Sequence, residues 1–300
     1  MEIKQDGARQ EKLRNVLLLL VRLGLWGDRE EHNTRLNLTE EDWNDVFRLA
    51  MQHTVTGLAF QGVSHLPDSQ IPPQSLLVRW MAETDAVERR NKRMNGVLGQ
   101  LYNIFHEKGL NPILQKGQGV ANYYESPLLR VCGDIDLYFN NKKAWDDALD
   151  FLRKNNVTFT KQADEGISYR WQGVDIEHHS RLFDLYNPFL QGFVGKLEGQ
   201  KGYRHTALST YPSVIVITPS PFLDILLQSL HILKHSVSRG IGLRQMCDMA
   251  RSCYKLHGEI DSEEMKAVCK KIGLHRWCPL LHTFLIDYLG LPKDLSLIHI

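Results

Sequence analysis

A chain of 300 residues, 43% hydrophobic and 24% charged, has material for two or three domains and an ordinary globular core. Its formal net charge of +1 excludes a global field of the kind that draws a protein to nucleic acid, a membrane surface or an acidic partner. Met1–Arg9 is polar, and the apolar run Val16–Val21 is too short to span a bilayer. The five cysteines form no C-x-x-C pair, so free thiols in a reducing, cytoplasmic compartment are expected, without export or membrane association.

Taken in order, residues 10–26 place Leu13, Val16, Leu17, Leu20 and Val21 at helical spacing. Thr39 followed by three acids reads as an N-cap for a helix carrying Trp43, Val46, Phe47 and Ala50. A long helix is expected from Pro73 to Lys108, its charged middle a solvated face. The character changes at Gly109. Asn111–Leu114 reads as a short strand, Lys116–Gly119 as a turn, and Val131–Asn140 as a strand; a helix follows over Lys142–Lys154. Further strands are expected at Val157–Thr160, Ile167–Trp171 and Val174–His179, the last two joined by a Gln172-Gly173 hairpin turn. Residues 181–212 carry no clear signal. Val214–Ile217 is a strand candidate, and helical periodicity returns over Phe222–His235, Leu243–Leu256, Ser262–Lys271 and His275–Leu289. Leu295–Ile300 is apolar and uncapped, as an altered C-terminus would be. This is an α+β pattern: a helical region at 1–82, a small mixed sheet at 83–218 and a second helical region at 219–300.

Candidate chemistry centres on Val131–Asn140. Alternation puts Ile135, Leu137 and Phe139 on one face, and Asp134, Asp136 and Tyr138 on the other. The two carboxylates then stand about 7 Å apart on a rigid element and repel unless a cation, proton or basic group intervenes. Val174–His179 repeats the pattern, with Asp175, Glu177 and His179 opposite Val174 and Ile176. His178 points away from His179, so at most one imidazole joins Glu177. Three carboxylates around a small cavity suit Mg²⁺, which takes hard oxygen ligands and binds substrate phosphates. His231 and His235 stand at i, i+4 without the glutamate of a zinc-protease helix, and neither a Walker lysine nor a Gly-x-Ser-x-Gly elbow occurs.

Together, Ile113-Leu-Gln-Lys-Gly-Gln-Gly-Val-Ala, Tyr123-Tyr, Leu129-Arg, Gly133-Asp-Ile-Asp, Glu177-His-His and Gly240-Ile-Gly-Leu-Arg-Gln-Met-Cys-Asp resemble a bacterial nucleotidyltransferase-like family within the DNA polymerase β-type nucleotidyltransferase superfamily. The resemblance covers roughly residues 85–256. It implies a small mixed-sheet catalytic core flanked by N- and C-terminal helical regions. The implied reaction moves a nucleoside monophosphate from a nucleoside triphosphate, ATP among them, to an acceptor hydroxyl with release of pyrophosphate. By position, Asp134, Asp136 and Glu177 would bind two Mg²⁺ ions, with Glu177 or Asp175 as the third carboxylate assisting deprotonation. Gly117 would admit the triphosphate backbone-close, and Lys116, Arg130 and Arg244 would meet nucleotide; the superfamily's Gly-Ser pair is replaced by Lys116-Gly117-Gln118. Arg244 is alternatively an ion-pair partner of Asp248 at i, i+4. The acceptor is left open among small molecule, protein and RNA. The same residues also accommodate a non-catalytic nucleotide- or partner-binding relative, or a metal-dependent phosphohydrolase.

Overall fold

Helix and strand signals assemble, in a computed structural model that describes residues 2–27, 36–162, 165–183, 185, 187–238 and 240–298, around one seven-stranded mixed sheet. The chain begins with helices α1 (Glu2–Trp26), α2 (Glu40–Gln52), α3 (Thr56–Val63) and α4 (Gln74–Glu107). Thr39 caps α2 reciprocally: its hydroxyl accepts from the Asp42 amide and the Asp42 carboxylate accepts from the Thr39 amide, each at 3.2 Å. The short, apolar α3 carries no side-chain cap and had no sequence signal of its own. It packs so closely on α1 that a Cβ at Gly62 would collide with the backbone of Leu20. Helix α4 runs unbroken through residues 82–83.

The sheet is assembled from β1 (Ile113–Leu114), β2 (Ile135–Tyr138), β3 (Phe159–Lys161), β4 (Ile167–Trp171), β5 (Val174–His179), β6 (Tyr203–Leu208) and β7 (Tyr211–Pro219). Helices α5 (Gln118–Ala121) and α6 (Lys142–Lys154) precede β2 and β3, and α7 (Pro188–Lys201) fills part of the segment that gave no sequence signal. The strand order is β3-β4-β5-β2-β1-β7-β6. Strands β2 and β5 run parallel, as do β1 and β7; the other neighbours are antiparallel. Gln172 and Gly173 both take positive φ, 49° and 76°, which is what a two-residue hairpin turn between β4 and β5 requires.

Each sheet face has its own core. Ile135, Leu137, Phe139 and Ile176 pack on Leu98, Leu101 and Phe105 of α4 and on Phe151 and Leu152 of α6. Ile113, Tyr138, Leu182 and Phe183 belong to the other core, shared with both helical regions of the chain. There α8 (Pro221–Ser238), α9 (Leu243–Leu256), α10 (Ser262–Lys271) and α11 (Trp277–Leu289) join α1–α3. The Trp26 indole donates to the Leu289 carbonyl at 2.6 Å, tying the first helix to the last. Leu297 and Ile298 are buried in this helical core, which gives the apolar end of the sequence a packing role. No helix among the described residues is long and apolar enough to cross a membrane, and all five cysteines are free thiols, with Cys278 Sγ 3.6 Å from Cys269 Sγ.

A buried polar network joins sheet and helices. The Arg130 guanidinium donates to both carboxylate oxygens of Asp248, at 2.8 and 2.7 Å, and the Tyr124 hydroxyl donates to the same carboxylate at 2.8 Å. Burial opposes ionisation of Asp248, but Arg130 outweighs it and holds the carboxyl below its ordinary range. Arg251 donates to the carbonyls of Tyr123 and Leu25, each at 2.8 Å. Asp224 accepts from Tyr123 at 2.6 Å and from Gln228 at 3.0 Å. Removing one partner of a buried ion pair strands the other without solvent, so Arg130→Ala should cost about 3–5 kcal/mol in urea unfolding. The apolar double variant Arg130→Met/Asp248→Leu should recover most of that loss.

Asp224 behaves oppositely to Asp248. Burial pushes its carboxyl up to about 6, against the hydrogen bonds from Tyr123 and Gln228 and the charge of Arg204. The folded chain therefore binds this proton more tightly than the unfolded chain, whose aspartates titrate near pH 4 (about 3.9). The contribution is fully present below about pH 4 and is lost as pH rises through about 6. Asp224→Asn should accordingly flatten the decline in stability between those pH values, seen as a smaller change in denaturation midpoint than in the wild type.

Candidate active site

Register brings the acids together. In the parallel pair β2–β5, Asp136 stands opposite Glu177 and Tyr138 opposite His179, with all four on the sheet face turned from α4 and α6. The expected strand 131–140 shortens to Ile135–Tyr138, so Asp134 comes from the loop entering β2 rather than from the strand. It nonetheless lines the same cleft as Asp136, Glu177 and His179, a cavity of about 930 Å³. Asp175 does not. It is exposed, one alternation back along β5, and pairs across the hairpin with Arg170 at 3.4 Å.

The β1–α5 turn supplies the nearest cation. Gly117 has φ 61° and ψ −111°, a combination open only to glycine, and its α-carbon side lies against the Asp134 carbonyl. That conformation brings Lys116 over β2, with Nζ 3.3 Å from Asp136 Oδ1. His179 Nε2 is 2.9 Å from the same oxygen and 3.7 Å from Glu177 Oε2. The Gln162 amide donates to Glu177 Oε1 at 2.9 Å and fixes the carboxylate from the β3–β4 side.

The two aspartates respond differently to this setting. Burial raises Asp134, the charge of Asp136 adds to it, and Lys116 offsets only part, leaving the carboxyl pushed up to about 6. Asp136 is still more deeply buried, yet Lys116 and the His179 hydrogen bond overcome that burial and hold it well below the usual carboxylate range. One acid is thus firmly ionised and its neighbour is under-compensated. This donor set fits a divalent cation: hard oxygens from two strands and a loop, and an excess of negative charge in a sheltered cleft. Asp136, Glu177 and His179 offer ligand atoms all within 4.8 Å of one another.

Helices α8 and α9 cover the cleft. Arg244 lines it, with Nε donating to the Thr54 hydroxyl at 3.2 Å. The alternative ion pair between Arg244 and Asp248 is displaced by the Arg130–Asp248 pair, because Arg130 reaches Asp248 with a bidentate fork. Arg130, expected at phosphate, is accordingly a buried strut in the cleft wall, only 4% exposed. His231 faces the carboxylates from α8 with its ring 4.4 Å from that of His235; burial, then Lys116, depresses it to about 2, so it is neutral. Gln162 and the positioning of His231 over the sheet had no sequence signal beyond the i, i+4 histidine pair. His178, on the opposite face, meets the Tyr169 hydroxyl at 2.8 Å and takes no part in the site.

Comparison with curated proteins finds no match. A crystal structure described as an antigenic nucleotidyltransferase-like protein from Paracoccidioides brasiliensis aligns with 66% of this chain and 92% of its own length, at 14% identity and a TM-score of 0.41. Residues 39–286 match the family described as "Uncharacterised nucleotidyltransferase". With most of its length so matched, the chain belongs to that family of the nucleotidyltransferase superfamily.

Proposed function

We propose that this protein transfers a nucleoside monophosphate from a nucleoside triphosphate to an acceptor hydroxyl, with Mg²⁺ held by Asp134, Asp136 and Glu177. The observation that carries the reading is the convergence of three carboxylates from a loop and two parallel strands beside Lys116, in a cleft large enough for a nucleotide. Bound metal would polarise the α-phosphoryl group and offset charge on the attacking and leaving oxygens.

The chain's own residues account for the remaining steps. Gly117, lacking a side chain, lets backbone approach the triphosphate, while Lys116 and Arg244 balance its charge. The acceptor oxygen bonds to the α-phosphorus as the bond to the bridging oxygen breaks, and pyrophosphate leaves with that electron pair. The acceptor's proton passes to Glu177, whose Oε1 is fixed by Gln162 and whose second oxygen lies on the His179 side. Helices α8 and α9 restrict water at the reacting centre. In this reading Asp175 has no part, and Arg130 acts on nucleotide only by holding the wall that Asp248 completes.

The test follows α-labelled nucleoside triphosphate with Mg²⁺ across small-molecule, protein and RNA acceptors. Asp134→Asn/Asp136→Asn should lower transfer at least about 10²-fold, with the far-ultraviolet dichroism unchanged. Wild-type transfer rates in that variant would overturn the assignment. Label recovered only as free monophosphate would establish a phosphohydrolase, and nucleotide binding without turnover a non-catalytic relative.

A further inference from the structure

The imidazole at the centre of the acidic cluster carries chemistry that an all-oxygen site lacks. His179 directs Nε2 at two carboxylates at once, 2.9 Å from Asp136 Oδ1 and 3.7 Å from Glu177 Oε2. Six-coordinate ligands held at about 2.1 Å from a metal are separated by about 3 Å when adjacent and about 4.2 Å when opposite. Both observed separations fall in that interval, and the whole donor set closes within 4.8 Å. The three atoms therefore need little movement to share one ion.

Rigidity supports the same reading. Glu177 and His179 are two residues apart on β5, and Asp136 is locked opposite Glu177 by sheet register. Gln162 fixes the outer oxygen of Glu177, which leaves Oε2 on the side of His179. Adjoining the trio, Ser180 lines the cleft with a buried hydroxyl that has no hydrogen-bond partner among the described residues. Lys116, now 3.3 Å from Asp136, neutralises part of the charge and is released for phosphate once a dication takes its place.

Mg²⁺ favours oxygen and binds imidazole reluctantly, whereas first-row transition dications accept nitrogen and carboxylate ligands together. We propose that Asp136, Glu177 and His179 form a mixed nitrogen–oxygen site that selects a transition-metal dication, of the Mn²⁺ or Co²⁺ class, over Mg²⁺. Asp136 and Glu177 are shared with the oxygen-only position beside Asp134. The proposal rests on the metal-dependent reading above and refines it by making His179 a ligand rather than only a hydrogen-bond partner of Asp136.

The experiment uses the full chain, stripped with chelator and titrated with Mn²⁺, Co²⁺ and Mg²⁺, with and without nucleoside triphosphate. Wild-type protein should bind Mn²⁺ at least about 10-fold more tightly than Mg²⁺. Pulsed electron paramagnetic resonance of bound Mn²⁺ should show coupling to one nitrogen. His179→Ala should abolish that coupling and the Mn²⁺ preference while leaving Mg²⁺ affinity within about threefold, consistent with loss of one nitrogen ligand. His231→Ala and His235→Ala should each retain the coupling, which separates His179 from the other imidazoles lining the cleft even if His179→Ala fails to fold. Mn²⁺ bound without nitrogen coupling, or a preference unchanged in His179→Ala, would overturn the proposal and leave metal-dependent transfer standing. Failure of the wild type to bind any of the three ions, even with nucleotide, would instead remove the metal-dependent reading itself.

Discussion

The architecture of the cleft follows from keeping Asp136 charged in the interior. An ionised carboxylate that is 4% exposed is costly unless charge and hydrogen bonds replace the lost water. Lys116 and His179 both meet its Oδ1, and each depends on a backbone feature: a glycine-only turn for Lys116, and parallel register with β5 for His179. The Gln115 amide donates to the Asp136 carbonyl at 3.1 Å, so the residue before Lys116 is held by the strand it serves. Strand order β5-β2-β1 is what makes these contributions simultaneous, since Asp136 lies on the strand between the other two.

A second compensated charge anchors the cover. Asp248 on α9 is satisfied by Arg130 and Tyr124 from the segment leading into β2, so the helical roof is fastened to the sheet a few residues before the loop that carries Asp134. Arg251, three residues further along α9, reaches the end of α1 through the Leu25 carbonyl. The first and last helical regions thereby form one body with one core, although more than a hundred residues of mixed structure separate them in sequence. Using Arg130 as the strut leaves Arg244, on the same helix as Asp248, directed along the cleft. The two arginines differ in setting, Arg130 buried within its ion pair and Arg244 lining the cleft.

Much of this was legible where burial is one-sided. Alternation in β2 and β5 identified the acidic face because the opposite face is filled by α4 and α6, and period two leaves no other arrangement. The Thr39 cap and the Gln172-Gly173 turn were legible because each needs only neighbouring residues. What escaped was set by distant contacts or by mixed signals. Helix α7 carries Gly192, Gly195 and Gly199, which weaken helical propensity, and β6 alternates too little polarity to announce its pairing with β7. Asp134 could not be seen to leave the strand, because β2 pairing begins only at Ile135 opposite Ile176. The choice of Asp248 between Arg130 and Arg244 is likewise a tertiary one. Spacing along α9 favours Arg244, but only Arg130 arrives with both donors aligned on the carboxylate.

The charge balance at the centre then bears on chemistry. Asp134, Asp136 and Glu177 bring three formal negative charges, and the Lys116 ammonium within ion-pair distance returns one. His231, neutral and facing inward from α8, adds polarity without adding charge. The deficit is felt by Asp134, which has burial, Asp136 and Glu177 against it, outweighing the charges of Lys116 and Arg244 in its favour. In the proposed reaction, a dication held there would relieve the repulsion between Asp134 and Asp136 while leaving Asp136 ionised, so the under-compensated acid is the one that would gain most from binding it.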